Sequence, residues 1–170
     1  MTILIIFLTL VTACRSLYDL FRSRPSALWI GWCAMVWLRF SDANVPTWAA
    51  IAYWGIAAAI VTAIGYMLPR KVSESRLGMG YFGVGAIVGA AVGFMALPYG
   101  SAGLIVGSVA GLLIAAAAFA RTPQGKPVAV SLRRYANYVL AKGSYAVVVV
   151  VMLAIAMVRV ISFDGWNSRT

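Results

Sequence analysis

No charged side chain occurs between Arg76 and Arg121, and this feature most restricts how the chain can fold. Two apolar runs, residues 79–97 and 101–120, fill the stretch and are separated by Pro98-Tyr99-Gly100. Each run has about the 20 residues that a helix needs to cross the hydrocarbon core of a bilayer. Because every backbone polar group must be bonded internally there, the stretch predicts two transmembrane helices joined by a tight turn.

The composition of the whole chain agrees with membrane insertion. Of its 170 residues, 63% are hydrophobic and only 11% are charged, whereas a soluble domain typically carries about a quarter charged residues. The net charge of +10 does not indicate nucleic-acid binding, because the cations lie in short clusters between apolar runs and not on one face with aromatic readers. Lipid is the expected surrounding, and no nucleic-acid partner is expected.

Six apolar segments predict an all-α fold, a polytopic transmembrane bundle of about six spans that forms a single domain over residues 1–170. The first two segments are short for spans, so a re-entrant hairpin made of both is an alternative to two crossings. Extending the first segment through Leu17 and Tyr18 would add its missing turn. The predicted segments are 2–14, 26–38, 46–68, 79–97, 101–120 and 144–161.

The placement of the cations predicts how the chain is threaded through the membrane. With six spans, 11 of the 14 Lys and Arg residues fall in alternate loops on one side, and only Arg39, Arg159 and Arg169 fall on the other. Cytoplasmic loops are the ones that accumulate Lys and Arg. The bias predicts a multi-pass membrane protein with both termini outside the cytoplasm. A re-entrant first hairpin would leave this orientation unchanged.

Ten of the 16 glycines fall between Gly78 and Gly111, where glycine recurs every four residues in two similar blocks. A spacing of four places each set along one helix face, and glycine permits the close backbone approach that favours helix association in lipid. The blocks predict an antiparallel glycine-zipper hairpin over residues 79–120, packed within the monomer or shared between subunits. The glycines predicted to pack are Gly85, Gly89, Gly93, Gly103, Gly107 and Gly111.

The same region resembles a known family. A span ending in Tyr66-Met67-Leu68-Pro69 is followed by a short basic loop and by the two Gly-x-x-x-Gly-x-x-x-Gly blocks. This arrangement, over about residues 66–120, resembles a bacterial glycine-zipper membrane family known as domain of unknown function 456. The resemblance implies a membrane-embedded helical architecture, in the bacterial cytoplasmic (inner) membrane, and implies no activity.

Residues 121–143 form a basic segment that is either a cytoplasmic connecting loop or a helix lying on the membrane surface. On a helix, its apolar and cationic side chains would separate onto different faces, as in helices that bind an anionic leaflet. Arg133, Arg134 and Lys142 are the candidate contacts with anionic lipid.

The residue types that catalysis and metal binding require are scarce. The chain has no His, so we expect no catalytic residues, no metal site and no cofactor. Its carboxylates are Asp19, Asp42, Glu74 and Asp164. Asp19 and Glu74 are expected to be solvated, charge-paired loop residues. Only a cluster of both with Arg76 in one cytoplasmic pocket would favour an enzyme.

The polar and sulfur-containing side chains within the spans are expected to serve packing. Cys14 and Cys33 lie in apolar runs and are expected to be buried or to face lipid. Thr62 and Ser108 are polar groups at depth, and each can hydrogen-bond to its own helix.

These features predict a non-enzymatic integral membrane protein with a structural, accessory or assembly role. The alternative is a small oligomeric transporter or channel for an uncharged solute or lipid, because internal repeats and glycine-interrupted segments recur in transporters. The expected partners are the lipid bilayer and either further copies of the chain or another membrane protein.

Overall fold

The computed structural model describes residues 2–41, 46–67, 78–96 and 101–161, and the regular structure within these residues is α-helix alone. Five helices are long and apolar enough to cross a membrane, and the second helix is shorter. The predicted all-α fold is thus confirmed, with several helices that are long and apolar enough to cross a membrane. The helices are α1 (Thr2–Phe21), α2 (Ser26–Ser41), α3 (Trp48–Met67), α4 (Met79–Ala96), α5 (Ser101–Ala120) and α6 (Leu132–Ile161).

The first helix is longer than the predicted segment 2–14. It continues through Arg15 and Asp19 to Phe21 and so gains the length of a span. The two charged residues do not end it, because they are four residues apart on one face and form an ion pair of 3.5 Å. Helix α2 has 16 residues and runs antiparallel to α1, with the Ser16 hydroxyl donating to the Ala27 carbonyl at 2.7 Å.

The last helix begins twelve residues earlier than the predicted span 144–161. Helix α6 has 30 residues, a length of about 45 Å, and residues 132–143 of the basic segment are its first turns. Only 121–131 form turns. The helix does not break before Ser144 because Lys142 and Gly143 are buried against other helices. The segment is therefore neither a plain loop nor a separate surface helix.

Helix α6 is the centre of the bundle and contacts each of the other five helices. Tyr145 donates a hydrogen bond to the Arg24 carbonyl, and Lys142 Nζ donates to Ser23 Oγ at 2.5 Å. Both acceptors lie in the tight turn between α1 and α2, where Ser23 adopts a positive φ of 56°. The long last helix thus fixes the first turn of the fold.

Helix α3 joins the bundle through a tryptophan. The indole Nε1 of Trp32 donates to the Ile51 carbonyl at 2.9 Å, and a Cβ on Gly55 would lie 3.0 Å from the same nitrogen. Trp32 therefore packs between helices, whereas Trp29 and Trp37 keep 42% and 39% exposure.

One end of the bundle gathers most of the described cations, and we call it the basic end. It contains the turn at residues 22–25, the start of α4, the end of α5 and the first turns of α6. Contacts join these parts, since Gly83 lies against the ring of Phe21 and Gly78 against the ring of Phe119. The cations predicted to share one side of the membrane, where the structure describes them, thus share one end of the fold.

Candidate functional site

Helices α4 and α5 form the most closely packed pair of the bundle, and we call them the glycine helix pair. A Cβ atom on Gly89 would lie 2.8 Å from Gly111 Cα, and one on Gly93 would lie 2.7 Å from Gly107 Cα. In the reverse direction, a Cβ on Gly107 would lie 2.7 Å from Gly93 Cα. These separations are far below the 3.5–4.0 Å of an ordinary carbon contact, so only glycine fits.

The contact continues to both sides of this centre. A Cβ on Gly85 would lie 2.7 Å from the Gly111 carbonyl oxygen, and a Cβ on Gly93 would overlap the Gly103 carbonyl oxygen. The structure therefore brings together all six glycines that the sequence singled out for packing. The turn predicted to join the helices, Pro98-Tyr99-Gly100, lies outside the described residues.

The outer side of the glycine helix pair is an open apolar groove of about 830 Å³. The glycines form its floor, because they have no side chains, and valines spaced four apart on α4 form one wall. These valines are 53–58% exposed, and Ile114 on the other wall is 73% exposed. The residues that line it on α4 include Val84, Val88, Val92 and Ala96, and those on α5 include Val106, Ala110 and Ile114.

The inner side of the pair is fixed to α6 by aromatic rings at the basic end. Phe82 and Phe119 are fully buried, with ring centroids 5.7 Å apart, and Phe119 stacks on Tyr138 at 6.4 Å. The Tyr135 hydroxyl donates to the Ala116 carbonyl. Sequence reasoning missed these contacts, because no local pattern relates tyrosines in the basic segment to the end of α5.

Two further glycines make room for side chains of α5 at the same end of the bundle. Gly143 lies against Leu112, whose Cδ2 would be 2.5 Å from a Cβ at that position. Gly78 has a positive φ of 73°, and a Cβ at this position would lie 3.0 Å from the ring of Phe119. A left-handed φ favours glycine, so Gly78 serves both the turn before α4 and the close ring contact.

Asp19 is buried, not solvated, which corrects the prediction for it. Only 1% of the residue is exposed, and its Oδ2 accepts a hydrogen bond of 2.8 Å from the Ser26 hydroxyl. Its charge is paired as predicted, with Arg15 Nε at 3.5 Å and Arg24 Nη1 at 3.9 Å. Its Oδ1 accepts no hydrogen bond among the described residues, so the two arginines offset the cost of burying the charge, and the loss of either partner would leave that charge poorly compensated.

The predicted lipid contacts Arg133, Arg134 and Lys142 do not stay together. Arg133 and Arg134 are exposed on the first turn of α6. Lys142 is 5% exposed and bonded to Ser23, so it stabilises the α1–α2 turn and does not face lipid. The reason is its position between α6 and that turn, which the helical pattern of one segment does not reveal.

The remaining polar and sulfur-containing residues occupy ordinary packing positions. Thr62 and Ser108 donate to the carbonyls of Ala58 and Ile105 in their own helices, as predicted. Cys14 and Cys33 are exposed on apolar helices, which agrees with the lipid-facing alternative.

Glu74 and Arg76, named in the predicted condition for an enzyme, lie outside the described residues, as do Asp42 and Asp164. Within the described ranges, no three His, Cys, Asp or Glu side chains lie close enough together to hold a metal ion.

Comparison with known proteins gives no relative from which a function could be transferred. No protein family model, curated protein or solved structure matches the chain. The resemblance to the glycine-zipper family of unknown function therefore stays a prediction.

Proposed function

We propose that this chain is a non-enzymatic structural, accessory or assembly protein of a bacterial cytoplasmic membrane. It acts by presenting the glycine helix pair to a transmembrane helix of a partner protein. The basic end faces the cytoplasm, because loops rich in Lys and Arg are retained there, and both termini lie on the opposite side. The glycine zipper is the packing core of this architecture.

The observation that carries the proposal is the apolar groove on the outer side of the glycine helix pair. Its walls are ridges of side chains spaced four residues apart, and a ridge of this spacing is what another helix packs against. Its floor is made of glycines, over which a second backbone can approach closely. A groove over the length of α4 also exceeds what a single headgroup or small solute would fill.

Co-purification after mild solubilisation tests the proposal when it is combined with a variant that fills the groove. Ala110 is exposed and lines the groove, so Ala110→Phe is expected to displace a partner helix. Ala59 is an exposed alanine in the middle of α3, and Ala59→Phe is the matched control. A partner that the wild type and Ala59→Phe retain and Ala110→Phe loses supports the proposal. A chain that always purifies alone as a monomer contradicts it.

A transporter or channel for an uncharged solute or lipid is the competing function. Flux across liposomes that contain the purified protein separates the two. If the wild type carries a solute or lipid across the membrane and Ala110→Phe abolishes that flux, the groove is a transport path and the accessory role is refuted.

A further inference from the structure

Two arginines and a tyrosine lie together on the outer side of α1 and of the turn that follows it at the basic end, and we call them the α1 arginine patch. The guanidinium carbons of Arg15 and Arg22 lie 5.6 and 5.3 Å from the centroid of the Tyr18 ring. Tyr18 is 50% exposed, and the Arg15 side chain is 55% exposed. We infer that this patch binds the headgroup phosphate of an anionic phospholipid in the leaflet at the basic end.

The patch is held in place before any lipid binds. Both guanidinium groups lie within the distance at which a cation is attracted to the face of an aromatic ring. Arg15 is also anchored through its Nε to the buried carboxylate of Asp19 at 3.5 Å, a contact that does not use its terminal amino groups. Arginine binds phosphate through parallel N–H groups, and a fixed side chain loses less conformational entropy when it does so.

The local charge balance favours an anion. Asp19 is the carboxylate at this site, and it is shared between Arg15 and the half-exposed Arg24. Arg22 adds a further cation on the same ring. Among the described residues of this site, three guanidinium groups and one carboxylate leave a net positive charge at the membrane surface, where anionic lipids concentrate.

An apolar stripe along the same face indicates that the ligand is a lipid and not a soluble phosphate. The helix face that carries Tyr18 continues away from the basic end through Val11, Phe7 and Leu4. From Tyr18 onward, successive residues on this face are seven, four and three positions apart. Val11, Phe7 and Leu4 are 47%, 64% and 71% exposed. A lipid whose phosphate meets Arg15 and Arg22 would lay its acyl chain along this stripe.

Native mass spectrometry of the full chain released from detergent tests the inference, with phosphatidylglycerol and phosphatidylcholine as the probes. The wild type is expected to retain phosphatidylglycerol in preference. Arg15→Gln combined with Arg22→Gln is expected to weaken phosphatidylglycerol binding about tenfold, with phosphatidylcholine binding unchanged. The matched control is Arg121→Gln combined with Lys126→Gln, which removes the same charge from exposed positions in the turns before α6 at the same end.

The two double variants decide between a site and a diffuse attraction. An equal loss in both, or an unchanged phosphatidylglycerol preference in Arg15→Gln/Arg22→Gln, overturns the inference. Arg15→Gln also removes a partner of Asp19, so melting in lipid-free detergent must be compared first. If that variant melts lower, Tyr18→Leu combined with Arg22→Gln keeps the Arg15–Asp19 ion pair and is expected to show the same loss. If this variant still prefers phosphatidylglycerol, the inference is overturned as well.

Discussion

Replacing Gly89 with alanine adds one methyl group where the backbones of α4 and α5 touch. The new Cβ would lie 2.8 Å from Gly111 Cα and would overlap the Gly107 carbonyl oxygen. An ordinary carbon contact needs about 3.5–4.0 Å, so the helices must separate by about 1 Å. A gap of that size loses roughly a quarter to a half of the dispersion energy of each contact beside it.

The expected cost follows from two opposing contributions. Overpacking of a close contact destabilises a protein by about 1–3 kcal/mol. Alanine recovers up to about 1 kcal/mol of helix propensity relative to glycine. The free energy of unfolding of Gly89→Ala should therefore fall by roughly 0–2 kcal/mol relative to the wild type, and by about 1–3 kcal/mol relative to an alanine substitution at an open glycine of the same helix. The replacement of both Gly89 and Gly107 by isoleucine should prevent the pair from closing.

Titration with sodium dodecyl sulfate in mixed micelles, followed by the fluorescence of the six tryptophans, measures this change. The matched control is Gly80→Ala, because nothing lies within 4 Å of a Cβ at Gly80 on the same helix. Gly65→Ala in α3 is a second control with equally open surroundings. Both should unfold like the wild type or slightly later. If Gly89→Ala unfolds together with Gly80→Ala, close backbone contact does not stabilise this fold.

Three further predictions concern the rest of the bundle. Asp19→Asn should lower the free energy of unfolding by roughly 1–3 kcal/mol in the same titration, because Arg15 and Arg24 lose a buried charge partner. If the variant is as stable as the wild type, the ion pairs of Asp19 do not stabilise the fold. Phe119→Ala should lower the free energy of unfolding by up to about 5 kcal/mol, because it leaves a cavity beside Phe82. Phe94 is 43% exposed, so Phe94→Ala should lower it little. An equal decrease in the two variants would refute the buried aromatic cluster. Cys14 and Cys33 should react with an uncharged, membrane-permeant maleimide and resist a charged one in intact membranes, and rapid charged labelling would place them in water.

The positions of the membrane-spanning helices could be predicted because the signal for them is local. A helix in lipid must bond its own backbone groups, so an apolar run of sufficient length identifies it, as for α4 and α5. The spacing of Gly85, Gly89 and Gly93 is local as well, since a period of four defines one face of one helix.

The burial of Asp19 and the early start of α6 depend on contacts that are distant in sequence. Lys142 and Tyr145 bond to residues 119 and 121 positions away, so no window along the chain contains both partners. Near Arg15, Arg22 and Arg24, a carboxylate is expected to be solvated, and the packing of both α2 and the distant α6 against this turn removes it from water. The charges of Arg133 and Arg134 lower the hydropathy of the first turns of α6, which moved the predicted start of the span to Ser144.

The central position of α6 has a consequence for how the protein is made. This helix follows the other five in the chain, so a ribosome synthesises it after the α1–α2 and α4–α5 pairs have entered the membrane. Until it arrives, the first turn lacks the bonds from Lys142 and Tyr145, and Phe119 lacks the ring of Tyr138. Before then, α1 and α4 can already meet where Gly83 lies against the ring of Phe21, and the last helix adds the bonds and ring contacts that fix the two pairs to each other.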